Sequence, residues 1–121
     1  MPNQITESLS KNHLNLFDEN GDVKIKETQD FLEISRNELA DLFSMTSDQL
    51  RPDRIGPKTK EKIAELAGAL EFVAESFNGD TKKAKAWFKM PNLNFGGASP
   101  RELILRGKKN KVLQFILASR S

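Results

Sequence analysis

The chain has 121 residues and no cysteine. That absence excludes a disulfide framework and a thiolate metal site, and makes a reducing cytoplasm the natural compartment. Only one histidine is present, His13, with no serine nucleophile motif beside which it could serve as a base, so a histidine-based hydrolase finds no support. The glycine pair Gly96-Gly97 has no Gly-Lys-Ser/Thr after it and no strand before it, which sets aside a phosphate loop. Asp18, Asn20 and Asp22 alternate like the first ligands of an EF-hand, but Val23 and Gln29 occupy the positions that need glycine and glutamate, leaving a surface turn. Nowhere do about 18 apolar residues run together, and Met1 to Glu7 hold no basic segment followed by an apolar run, so the chain reads as neither secreted nor membrane-spanning. There is no internal repeat and no low-complexity stretch. The expectation is a cytoplasmic protein without catalytic residues, metal or cofactor, and not an enzyme.

What is present is helical patterning. A chain of this length makes one domain, or two small ones sharing a core. Between Pro57 and Asn78, the residues Ile63, Leu66, Ala67, Leu70, Val73, Ala74 and Phe77 fall on one face of a helix, with Pro57 near its start and Gly79 beyond its end. This long amphipathic helix is expected to organise the fold, and its glutamates Glu61, Glu65, Glu71 and Glu75 are read as solvated or paired with nearby lysines. Lys108 to Arg120 reads as a final helix through Val112, Leu113, Phe115, Ile116 and Leu117, heavily buried or docked on a partner. The first half is made of shorter pieces. Ile5, Leu9, Leu14, Leu16 and Phe17 suggest one weak helix, and a second helix ends near Leu32. Ser35-Arg36-Asn37-Glu38 and Thr46-Ser47-Asp48-Gln49 are capping boxes opening two short helices, a pattern typical of a helix-turn-helix.

Charge is unevenly spread. Residues 1 to 57 hold six Lys/Arg against eleven Asp/Glu, whereas residues 58 to 121 hold thirteen against six. An acidic protein or a phosphate-bearing ligand would be drawn to the second half, unless the lysines simply form a solvated helix surface.

The segment from Trp87 to Leu103 is the most specific part of the chain. Asp80 can cap a helix carrying Ala84, Trp87 and Phe88, and Pro91 disfavours helical geometry at Met90, so that helix should stop at about Lys89. Ser99, Pro100 and Glu102 form a capping box with a proline start, so the next helix begins at about Ser99. In the intervening loop Gly96-Gly97 can adopt positive φ or admit another backbone, while Trp87 and Phe95 serve either as core or as contact residues.

The pattern Trp-Phe-x-x-Pro-Asn-x-x-Phe-Gly-Gly-x-Ser-Pro-x-x-Leu, followed by Gly107 and Val112, resembles the Xre/MbcA/ParS-type antitoxins. The likeness covers roughly residues 23 to 118, with Leu32 to Ala40 similar to the first helix of the family's helix-turn-helix and Lys58 to Asn78 in the place of its connecting helix. It implies an all-α protein in which a helix-turn-helix-like N-terminal half is joined by a long helix to a small helical toxin-binding domain. The divisions expected are an arm or weak helix over 1–22, a degenerate helix-turn-helix region over 23–57, a connecting helix over 58–79 and the toxin-binding domain over 80–121. The implied partner is a toxin of the RES class that destroys cellular NAD, bound and occluded by the antitoxin. The implied toxin-binding residues are Trp87, Phe88, Pro91, Asn92, Phe95, Gly96, Gly97, Ser99 and Pro100, with Arg120 and the terminal carboxylate of Ser121 reaching the toxin's active site.

The resemblance also implies repression of the protein's own operon. Ser47, Gln49, Arg51 and Arg54 are the candidates at the duplex, with Lys58 and Lys60 on the backbone. Phe43-Ser44-Met45-Thr46 replaces the usual Leu-Gly-Val-Ser, Pro52 ends the recognition helix early, and the acidic half that holds the motif attracts phosphate poorly. The reading adopted is a protein-binding antitoxin, dimeric through its N-terminal half. A stand-alone helix-turn-helix DNA-binding regulator is the alternative.

Overall fold

Helix α3, Pro57–Ser76, is the longest element among the described residues. A computed structural model describes residues 12–120 of the chain, with the side chain of Arg120 excepted. Among these residues six α-helices and two short 3-10 turns account for the regular structure, and the one β feature is an isolated antiparallel bridge between Phe17 and Val23. The apolar face of α3 is buried as its spacing predicts, from Ile63 through Leu66, Ala67, Leu70, Val73 and Ala74. Asn78 and Gly79 terminate it in left-handed geometry, at φ 56° and 79°. At Gly79 a Cβ would lie 2.8 Å from His13 Nδ1, so glycine supplies both the backbone angle and the room for the imidazole.

Helix α1, Ile25–Leu32, and helix α2, Arg36–Leu42, lie N-terminal to α3. The segment likened to the family's first helix, Leu32 to Ala40, is divided where the cap pattern places the break, after Leu32 and before Ser35. Glu33 takes φ 57° and closes α1, and Ser35 then opens α2 with both halves of the predicted box, Glu38 N–H to Ser35 Oγ at 3.0 Å and Ser35 N–H to Glu38 Oε1 at 2.9 Å. The second helix of the pair is only a 3-10 turn, Ser47–Leu50, opened by Thr46 N–H donating to Gln49 Oε1 at 2.9 Å. Arg51 is already extended, as the residue before Pro52 must be.

The weak helix expected between Ile5 and Phe17 is not formed over the part that the structure describes; Ile5 and Leu9 lie outside it. Asn12 to Phe17 are an irregular arm held by side chains. Asn12 Oδ1 accepts from Leu16 N–H at 3.0 Å and from Phe17 N–H at 3.2 Å. The Glu71 carboxylate on α3 accepts from Leu14 N–H at 2.9 and 3.1 Å, one bond to each oxygen, and from Leu16 N–H at 3.1 Å. These amides are therefore spent on carboxylate and amide oxygens rather than on a helix ladder. Glu71 is correspondingly buried, not solvated as its place among the glutamates of α3 suggested. Beyond the arm, Asp18 Oδ1 accepts from Asn20 N–H and Asp22 N–H, making the surface turn.

Helix α4, Thr81–Lys89, and helix α6, Lys109–Arg120, pack on α3, while the short helix α5, Pro100–Leu105, bridges α4 and α6. Their buried residues Phe88, Leu103, Ile104, Val112 and Ile116 belong to the same hydrophobic cluster as Leu16, Leu32, Leu39 and Leu50. One core thus runs through both halves. The final helix is buried on one side only, with Leu117 exposed. No helix of the described residues is long and apolar enough to cross a membrane.

Candidate functional site

The loop between α4 and α5 is built by three local devices. Asp80 caps α4 by accepting from Lys83 N–H at 3.1 Å, and the helix stops at Lys89 because Met90, ahead of Pro91, is extended. At the other end Ser99 and Glu102 form the reciprocal box, Ser99 N–H to Glu102 Oε1 at 2.8 Å and Glu102 N–H to Ser99 Oγ at 3.0 Å, with Pro100 in the first turn. The Ser99 backbone N–H, and then its hydroxyl, hold the Glu102 carboxyl below the usual carboxylate range. Between these ends Asn92 organises the chain. Its Oδ1 accepts from Asn94 N–H at 2.9 Å, its carbonyl accepts from Phe95 N–H and Gly97 N–H, and its own N–H donates to the Ala98 carbonyl. The outcome is a 3-10 turn, Leu93–Phe95, followed by Gly96 and Gly97 at φ 68° and 92°.

The inner face of this loop is pinned by aromatic rings. Trp87 meets Phe77 at the end of α3, Phe88 on its own helix, Phe95 in the loop and Phe115 on α6, with centroids 5.9, 5.8, 6.4 and 6.2 Å away. Its ring is nearly parallel to that of Phe115, and Phe95 stands edge-on to Phe115 at 5.2 Å. A single indole therefore ties three helices to the loop.

The predicted contact residues separate into two sets. Phe88, Ser99 and Pro100 are buried, Trp87, Asn92 and Phe95 are half-buried, and Pro91, Gly96 and Gly97 are exposed. The apolar side chains that do face outward, Met90 and Leu93, were absent from the sequence-based set. Neither falls on an amphipathic period, so no pattern marks them. Ser121 and the side chain of Arg120 lie outside the described residues.

A polar clasp joins this region to the N-terminal half. Arg101 donates from Nε to the Leu32 carbonyl at 2.6 Å and from a terminal nitrogen to the Glu33 carbonyl at 3.0 Å, satisfying carbonyls at the C-terminus of α1. The Glu33 side chain in turn pairs with Lys89, and with Lys85 at 3.7 Å. The hydrogen bond from Lys89, followed by the charges of Lys89, Lys85 and Arg101, outweighs a partial loss of water and holds the Glu33 carboxyl below its ordinary range.

The DNA candidates lie at the start of α3 and in the turn before it. Gln49, Arg51, Arg54, Lys58 and Lys60 are exposed and Ser47 is half-buried. Both arginines already face carboxylates, Arg51 with Asp48 at 3.3 Å and Asp53 at 3.6 Å, and Arg54 with Asp48 at 3.2 Å. Gln49 has its Oε1 engaged at Thr46.

Fold and loop together define an all-α protein whose C-terminal helices carry a hydrogen-bonded surface loop pinned by aromatic rings. Residues 73–114 match the antitoxin Xre/MbcA/ParS C-terminal toxin-binding domain. The match runs from the last turns of α3 through α4, the loop and α5 into α6, and it supports an antitoxin role with a toxin as partner. No curated protein and no solved structure matches the chain.

Proposed function

We propose that this chain is a type II antitoxin that binds its cognate toxin through residues 80–121 and silences it by covering the active site. The observation that carries the reading is the toxin-binding family match, which spans the aromatic-pinned loop and the helices on either side of it. The partner proposed is a RES-class enzyme that destroys NAD in the cytoplasm. Arg120 and Ser121 are proposed to reach its active site, with the arginine in place of contacts to a dinucleotide's phosphates. The N-terminal half is proposed to hold two copies of the chain together, with 1–22 as an arm, 23–57 as a degenerate helix-turn-helix region and 58–79 as the connecting helix. Co-expression with the toxin of the adjacent reading frame tests the main claim: growth is rescued and the two proteins copurify. An active toxin that elutes alone refutes it.

Autorepression forms the second limb of the proposal, through Ser47, Gln49, Arg51, Arg54, Lys58 and Lys60. Asp48 sits against both arginines, so it competes with phosphate for them. Asp48→Asn is expected to tighten binding to a labelled promoter fragment and to steepen the salt dependence by about 0.9 in log–log slope for each further phosphate that the arginines neutralise. Anisotropy titrations across a salt series check this, and identical curves for both proteins would count against a DNA role for this face.

A further inference from the structure

Leu93 is 94% exposed and Met90 is 60% exposed, the first in the 3-10 turn and the second at the end of α4. A lone apolar residue on a surface is ordinary. The mounting of this one is not. Asn92 is fastened on both sides by hydrogen bonds from Asn94, Phe95 and Gly97 and to Ala98, and the Leu93 carbonyl accepts from Gly96 N–H at 3.2 Å. Phe95, two residues on, is locked between Trp87 and Phe115. The turn thus holds a leucine outward on a backbone braced by its own hydrogen bonds, so binding it costs little ordering entropy.

We propose that Leu93, flanked by Met90, is the apolar knob with which this chain docks on its toxin, entering an apolar socket with an acidic rim. The proposal rests on the antitoxin reading given above. It reassigns the direct contact from the ring cluster to the turn that the cluster supports: Phe88, Ser99 and Pro100 face the interior, and Trp87 and Phe95 are engaged with one another and with Phe115. The acidic rim follows from charge. Between residues 80 and 111 the chain carries nine Lys/Arg and two Asp/Glu. Both acids are turned to helix N-termini, Asp80 at Lys83 N–H and Glu102 in the Ser99 box, whereas Lys82, Lys83, Lys108 and Lys111 are exposed. A partner surface approaching this domain meets a positive field, which favours carboxylates around the socket and speeds encounter.

The test compares the full chain with Leu93→Ala, Leu93→Asp and Leu93→Lys in calorimetric titrations against the purified toxin of the adjacent reading frame. All three variants should melt as the parent does, because the side chain is exposed. Alanine should weaken binding by about 10- to 50-fold, from the apolar carbons no longer buried. Aspartate should weaken it by on the order of a hundredfold or more, and lysine by less than aspartate, since only the former meets like charge at the rim. Parent-like affinity in all three variants would overturn the knob and leave the antitoxin reading standing. Equal losses for aspartate and lysine would overturn the acidic rim. If Leu93→Asp instead dissociated a dimer of this chain while toxin affinity held, the knob would be a self-association contact and the proposal wrong. A parent chain with no affinity for the toxin would overturn the antitoxin reading and the knob with it.

Discussion

Trp87→Ala is expected to lower the unfolding free energy by about 3 kcal/mol, the low end of the range for a deleted core aromatic because the indole is only half-buried. The loss is large for one side chain because four rings from three helices and the loop converge on it. Each such aromatic pair contributes roughly 0.5–1.5 kcal/mol beyond its buried area, and collapse of the surrounding rings cannot restore all four contacts. Thermal unfolding followed by circular dichroism should show a midpoint lower by on the order of 10 °C. Trp87→Phe, which keeps a ring in the same slot, should recover most of the loss. Under the binding proposal, Trp87→Ala also weakens toxin capture at temperatures where the protein is still folded, because Phe95 loses a neighbour and the Leu93 turn is no longer held from behind. An unchanged midpoint would mean that the loop has another anchor.

Glu71→Ala should cost about 2–3 kcal/mol and release the arm. The carboxylate holds Leu14 N–H through both of its oxygens and shares the Leu16 N–H with Asn12. Hydrogen bonds to a charged group contribute about 1.5–3 kcal/mol, and an amide left unpaired in the interior costs a comparable amount. The loss has a ceiling, however, because the arm can detach and return its amides to water, forfeiting the burial of Leu16 and Phe17 instead. Urea unfolding measures the energy, and hydrogen exchange at Leu14 and Leu16 locates it: both amides should exchange faster in Glu71→Ala, with the core of α3 unaffected at low denaturant. Glu71→Gln retains one acceptor oxygen and should fall between the two. Slow exchange in the alanine variant would mean that the arm is held by its apolar side chains alone.

How far each element could be read beforehand tracks the distance over which its cause acts. Both ends of α4 and the start of α5 were legible because their causes lie within a few neighbouring residues: Asp80 for Lys83, Pro91 for Met90, Ser99 for Glu102. The face of α3 was legible because its period repeats along the whole helix. The arm was not. Its amides are claimed by Glu71 from far along the chain, and a spacing that permits a weak helix says nothing of a carboxylate arriving from another element. The break after Leu32 was legible from the box at Ser35, but not what satisfies the α1 carbonyls there, since that donor, Arg101, belongs to α5. The motif that carries the family resemblance spans this loop, but its most distinctive residues are those that build the loop rather than those that face outward.

Composition, caps and periodicity alone therefore determined the buried face of α3, both ends of α4, the start of α5 and the basic character of the C-terminal half, because each depends on neighbouring residues or on a simple count. Only the tertiary structure decided that Glu71 is an interior acceptor and that Trp87 and Phe95 turn toward Phe115. It also decided that Leu93 is left in water. Which side of a loop is inside depends on what packs beneath it, and for this loop that support is Phe115 on α6, a helix that follows the loop and α5 in the chain.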